Sequence, residues 1–337
     1  MTEQRASDVS GRTVAHTRPE PSWLSQRRPG EMVPVELLVD EGWVVRAFVA
    51  AGTRPGPTLT ILAGIHGDEY EGPLAIAELL AVLPLGELAG TVLAVPVANP
   101  PAFAAGTRES PLDGKNLARC FPGSAAGTAT ERLAWALTTE AITPADALID
   151  LHSAGVAYEM PLLVGYCVGP GAVGARSRAL ALAFGAPLVW EHPEIAPGRT
   201  LSAALDRGIP CVYTEASGGG GAPPETIRCY VEGLRRVLVA LAMLPGTPPE
   251  PRHVAFWRGA GDTDRTLAAP ASGLLRGAVA VGDPVAAGQT LGEMIDYDGR
   301  LLATIVAPVD GVVVMTRRLP RVMAGDGLYL LTTPVVE

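Results

Sequence analysis

The stretch "TLTILAGIHGDEYEGPLAIAELLAVL", residues 58–83, decides the fold. Its first part, "TLTILAGI", is an apolar run of strand length, and "GPLAIAELLAVL" carries the apolar spacing of a helix. A buried strand feeding a helix through a Gly-containing turn is the unit of a layered α/β protein. The junction is unusual in its chemistry. His66 ends the strand, and two acids, Asp68 and Glu69, follow at once.

The alternation continues on both sides. "VPVELLVD" and "WVVRAFVA" read as an opening hairpin with Asp40, Glu41 and Gly42 at the turn. "TVLAVPVAN" (91–99), "DALIDL" (146–151) and "PCVYTE" (210–215) read as further buried strands. "TATERLAWALTTEAI", "RSRALALAFGA" and "TIRCYVEGLRRVLVALAML" read as helices, the first capped by Thr128 or Thr130. Near residue 245, "PGTPPEPR" places four prolines in eight residues and marks a boundary. Beyond it, short apolar runs are separated by GD, DG and AG turns, the pattern of a small all-β module. The expected organisation is a flexible segment over 1–30, an α/β domain over 31–245 and a β-rich domain over 252–337.

Three acid or histidine features fall at the carboxyl ends of expected strands: His66 with Glu69, His152 in "IDLHSAG", and Glu215 in "YTEASGGGG". Ligands of open α/β sheets bind at that edge, so the shared position carries more weight than any single residue. His, Glu and His form a three-ligand set for catalytic zinc, with a fourth position for water whose pKa the ion lowers. Glu215 would then move the proton from that water to the leaving amine. Taken singly, each residue also suits a structural role, and Glu215 could cap a loop. Asp68 is expected to point away, orienting a ligand or tying the turn. His16, His192 and His253 lack partners at metal spacing and read as surface or structural. The Gly run 218–221 has no phosphate-cradle spacing.

The stretch "ANPPAFAAGTRESPLDGKNLARCFPG" (98–123), with "GIHGDEYEGP", "DLHS" and "TEASGG", closely resembles the succinylglutamate desuccinylase/aspartoacylase family of zinc amidohydrolases, which are related to the metallocarboxypeptidases. Within it the motifs are most similar to the N-acetyl-diaminobutyrate deacetylase branch. The resemblance implies a mixed-sheet, carboxypeptidase-like α/β/α domain followed by a small hammerhead-like β domain. It also implies one Zn2+ per chain on His66, Glu69 and His152, with Glu215 as general acid/base. Arg108 would polarise the scissile carbonyl and hold the oxyanion. Arg119, with Asn116 in the same stretch, would bind substrate, the arginine clamping a carboxylate. One position departs: the family's "NLNR" clamp reads "NLAR" here, so Ala118 stands where a hydrogen-bonding asparagine is expected.

The implied activity is removal of a short acyl group, such as acetyl, from a small N-acylated amino acid or related amine. A metallocarboxypeptidase acting on a small peptide and a non-catalytic binding protein of the same fold are the alternatives. Co²⁺ or Mn²⁺ would suit the same ligands in vitro. The net charge of -9 argues against a general nucleic-acid or anionic-membrane surface. No apolar run approaches the ~20 residues of a membrane span, and residues 1–30 hold no signal-like apolar core, so a cytoplasmic protein is expected. Cys120, Cys167, Cys211 and Cys229 form no CxxC pair and read as reduced thiols. The tail resembles lysine-linked carrier modules, but Lys115 is the chain's single lysine and lies far upstream. Packing against the catalytic domain, or homo-oligomerisation through it, is the expected role of the tail.

Overall fold

The structure is a computed structural model that describes residues 20–40, 42–169, 171–247, 255–259 and 263–335. Strand β1 (Met32–Asp40) and β2 (Trp43–Ala51) form the expected hairpin. They are followed by β3 (Arg54–Ala63), α1 (Glu71–Val82), β4 (Ala89–Val95), α2 (Pro100–Ala105), α3 (Ala129–Leu137) and β5 (Ala147–Leu151). Next come β6 (Tyr158–Glu159), β7 (Leu163–Cys167), α4 (Gly171–Phe184), β8 (Leu188–His192), α5 (Thr200–Leu205), β9 (Cys211–Glu215) and α6 (Pro224–Ala240). In the tail lie β10 (Ala255–Arg258), β11 (Leu267–Ala268), β12 (Gly273–Gly277), β13 (Pro284–Val285), β14 (Thr290–Ile295), β15 (Leu301–Val306), β16 (Gly311–Arg317), β17 (Arg321–Val322) and β18 (Gly327–Val335).

The main sheet is mixed, in the order β1-β2-β4-β3-β5-β9-β7-β8-β10-β18-β16-β13. At its centre β3, β5 and β9 are adjacent and parallel, so their carboxyl ends emerge side by side. Both faces are covered, which is why these strands read as continuous apolar runs rather than alternating ones. Leu59, Ile61 and Ala63 of β3 face the core built with α1, α4 and α6. Leu62 faces the opposite core, which contains Leu133 and Leu137 of α3 and Leu201 of α5. The domain is therefore an α/β/α sandwich with a mixed sheet. Strands β7 and β8 escape the sequence pattern because each is only five residues long.

Two segments differ from expectation. Residues 1–19, and with them His16, lie outside the described residues, but Ser22–Gln26 form a short 3-10 helix rather than a loose arm. Trp23 holds it: its side chain is buried with Val35 and Leu133, and its indole N–H donates to the Glu140 carbonyl at 2.7 Å. The expected helix over 128–142 ends as α3 at Leu137 and continues as a π-turn over Thr138–Ile142. There the Glu140 and Ala141 carbonyls are taken by Trp23 and by the Thr60 hydroxyl, which fixes the irregular last turn.

Residues 248–254, including His253, lie outside the described residues, yet the main sheet continues across the Pro-rich boundary. β10 adds in parallel to β8, and β18 adds antiparallel to β10. The tail also forms its own antiparallel sheet, β15-β14-β12-β17, over a core that includes Leu291, Met294 and Val322. β16 pairs with β6, next to the loop that follows β5, so the tail packs against the edge where the strand ends converge.

Candidate active site

His66 lies three residues past the end of β3, and His152 follows β5 directly, while Glu215 is the last residue of β9. Two glycines let the chain turn there. Gly64 adopts a φ of 63°, the left-handed region that favours glycine. A Cβ on Gly67 would meet the Ala102 carbonyl at 2.0 Å, so the turn after His66 can press against α2 only without a side chain. The same turn brings Glu69 back under His66, and both are buried.

Glu69 is the hub. Its Oε1 lies 2.7 Å from His66 Nδ1, and its Oε2 lies 2.9 Å from His152 Nδ1 and 3.2 Å from the Ser153 N–H that donates to it. The outer nitrogens face acceptors. His66 Nε2 is 3.2 Å from Asn116 Oδ1, an atom identified as oxygen because the Ala118 N–H donates to it. His152 Nε2 is 3.0 Å from Asp150 Oδ2, a carboxylate oxygen that also accepts from the Thr200 hydroxyl. These partners place an N–H on each Nε2 and turn each Nδ1 lone pair toward Glu69.

Two lone pairs and a carboxylate in one buried spot repel unless a proton or a metal ion lies between them. The ligand atoms of the three residues lie within 4.8 Å of one another, and two imidazole nitrogens with one carboxylate are the donor set of catalytic zinc. The residues present therefore fit such an ion. Burial pushes Glu69 up, but the two histidines outweigh it and hold the group well below the usual carboxylate range. Burial, and then Arg108, lower His66 to about 4. Burial also lowers His152, yet Asp150 and Glu69 more than offset it and carry this ring well above its ordinary value.

Glu215 is part-buried, and its Oε2 is buried without a hydrogen-bond partner among the described residues. Burial first, and then the Glu69 charge, push its pKa up to about 8. Arg108 places Nη1 3.2 Å from Glu69 Oε1, so its guanidinium stands at the rim of the cluster. His66, His152, Glu215, Arg108, Arg119 and Ala118 share the lining of one cavity of about 310 Å³. That is the small end of the range for a small-molecule site.

The structure gives Asn116 and Arg119 surroundings that their expected roles did not include. Asn116 Oδ1 orients His66 and caps the short turn at Leu117–Arg119. Arg119 Nε and Nη2 donate to both oxygens of Asp264, a tail residue, at 2.9 and 2.7 Å. Asp68 points away from the cluster as expected, and its Oδ2 accepts from the Val156 N–H and ties down the loop after β5. His192 is buried and structural, hydrogen-bonded to the Gly259 carbonyl and the Tyr213 hydroxyl. Asp150 was missed, although its spacing of two from His152 on a strand was a usable signal. Asp264 and Arg199 were missed because they are 145 and 80 residues from Arg119 in the chain.

The profile of the succinylglutamate desuccinylase/aspartoacylase catalytic domain matches residues 55–241. N-alpha-acetyl-L-2,4-diaminobutyric acid deacetylase of Halomonas elongata is 33% identical over 288 residues, 83% of each chain. The crystal structure of a succinylglutamate desuccinylase/aspartoacylase from Rhodobacter sphaeroides is 30% identical with a TM-score of 0.78, covering 88% of this chain and 90% of that one. The product-bound ectoine utilization protein EutE (DoeB) of Ruegeria pomeroyi is 29% identical with a TM-score of 0.81, covering 90% and 95%. A profile match over more than half the chain, joined to a relative of this identity and coverage, means that the chain belongs to the succinylglutamate desuccinylase/aspartoacylase family.

Proposed function

We propose that this protein is a zinc-dependent amidohydrolase that removes a short acyl group, such as acetyl, from a small N-acylated amino acid or related amine. The observation that carries the reading is the cluster of His66, Glu69 and His152 at the carboxyl ends of parallel strands, where His66, His152, Glu215 and Arg108 line one cavity. The name of the Halomonas relative supports acetyl as the acyl group.

His66, Glu69 and His152 would hold the ion, which when bound supplies Lewis acidity toward the carbonyl oxygen and acidifies water. Glu215 takes a proton from the attacking water as its oxygen bonds to the acyl carbon. The same carboxyl returns that proton to the amine nitrogen as the C–N bond breaks, giving a carboxylic acid and a free amine. Its buried Oε2, without a hydrogen-bond partner among the described residues, suits a group that must accept and release a proton. Arg108 donates hydrogen bonds to the carbonyl oxygen as negative charge develops there. Asp150 and Asn116 fix the tautomer and tilt of the two histidines.

Two results check this. A panel of N-acetyl amino acids and N-acetyl amines should be hydrolysed while blocked dipeptides are not. Cleavage confined to the dipeptides' C-terminal residue would replace the reading with a carboxypeptidase. The Asp150→Asn variant should bind zinc about 10- to 100-fold more weakly, measured by competition with a chromophoric chelator, because His152 loses the charge that orients it.

A further inference from the structure

Asp264 comes from the β tail, within the short 3-10 turn Thr263–Arg265, and reaches across to the α/β domain. Its two oxygens receive Arg119 Nε and Nη2 in the side-by-side geometry by which a guanidinium grips any carboxylate. Arg119 Nη1 donates to the Ala118 carbonyl, and Arg199 Nη2 adds a third charged hydrogen bond to Asp264 at 3.0 Å. Arg119 and Arg199 both line the 310 Å³ cavity, and Asp264 lines the adjoining cavity of about 460 Å³, which shares Arg108, Arg119 and Glu215. Ala118, on the same wall, offers no side-chain donor.

We propose that Asp264 is a specificity-determining residue: it occupies the guanidinium fork of Arg119 that a substrate carboxylate would need, and so favours acyl-amides whose amine part presents a neutral or cationic group there. The inference rests on the amidohydrolase reading and narrows its substrate class. A carboxylate entering at this point must displace Asp264 from two arginines or sit beside it against charge repulsion. Glu194 and Arg265, which line the same cavity, carry opposite charges and do not by themselves reverse that preference. A carboxamide, hydroxyl or ammonium group meets no such competition, and Asp264, 59% exposed at the mouth, can accept a hydrogen bond from it.

The test is a matched pair, an N-acetyl amino acid and its primary amide, assayed with zinc-loaded wild type, Asp264→Asn and Asp264→Ala. The wild type is expected to show the higher kcat/KM on the amide. Both variants are expected to shift the ratio toward the carboxylate by about tenfold or more, mainly through KM, as exchange of one charged hydrogen-bond pair implies. Wild-type preference for the carboxylate, or a ratio that both variants leave unchanged, would overturn the proposal. If the wild type hydrolyses neither compound, the amidohydrolase reading fails instead. The charge preference is then read by calorimetric titration of the free amino acid and its amide into the same three proteins, with the same shift expected and an unchanged preference contradicting it.

Discussion

Replacing Glu215 with Gln is expected to lower kcat by about 10²- to 10⁴-fold with the metal retained, the range spanned by loss of a positioned proton carrier. Gln keeps the shape of the side chain but cannot take a proton from water or return one to the amine. The substitution leaves the rest of the site undisturbed. Glu215 Oε2 has no hydrogen-bond partner among the described residues, so no internal bond is broken, and the hub that would hold the ion is Glu69. KM should change little, because substrate contacts from Arg108 and the cavity wall remain. Metal analysis beside steady-state kinetics checks this. A variant that keeps its metal and its full turnover would remove Glu215 from the mechanism.

The His152→Ala variant is expected to lose metal and turnover together, through removal of one of three protein ligands. It should also lose folding stability by about 3 to 5 kcal/mol, the usual penalty for leaving a buried charge without its partner. Asp150 is fully buried, with Oδ2 shared between His152 and Thr200 and Oδ1 without a partner among the described residues. Taking the ring away leaves that carboxylate with a single hydroxyl. Urea denaturation and metal analysis of the same preparation separate the two effects. If the variant retains about one metal per chain and full activity, the ligand set is wrong.

The centre of the fold was legible from sequence because both faces of its sheet are covered. β3 from residue 59 onward, β5 and β9 are mostly apolar, and His66, His152 and Glu215 lie at or within three residues of their ends, so the strands' positions and the cluster beside them could be read together. β7 and β8 were not readable, since five-residue segments are too short to carry a period that separates strand from core helix. Trp23 fell in the segment over 1–30 expected to be flexible, and only the tertiary structure reveals the socket between β1 and α3 that holds it. At the site, residue types at strand ends announced the ligands, but not the partners that aim them. Asn116 was assigned to substrate from its place near Arg119, whereas its Oδ1 faces His66 across 50 residues of chain. The Arg119–Asp264 pair joins two parts of the chain with no common local pattern, so the ion pair at the residue that the resemblance implies as a substrate clamp was not legible.

The most direct test of the account is a zinc titration of chelator-treated protein, with hydrolysis of an N-acetyl amino compound followed at each addition. No turnover is expected before zinc is added, followed by a rise that breaks at about one equivalent per chain, the stoichiometry of a three-ligand catalytic site. A rate that is already full in the metal-depleted protein and indifferent to added zinc would contradict it.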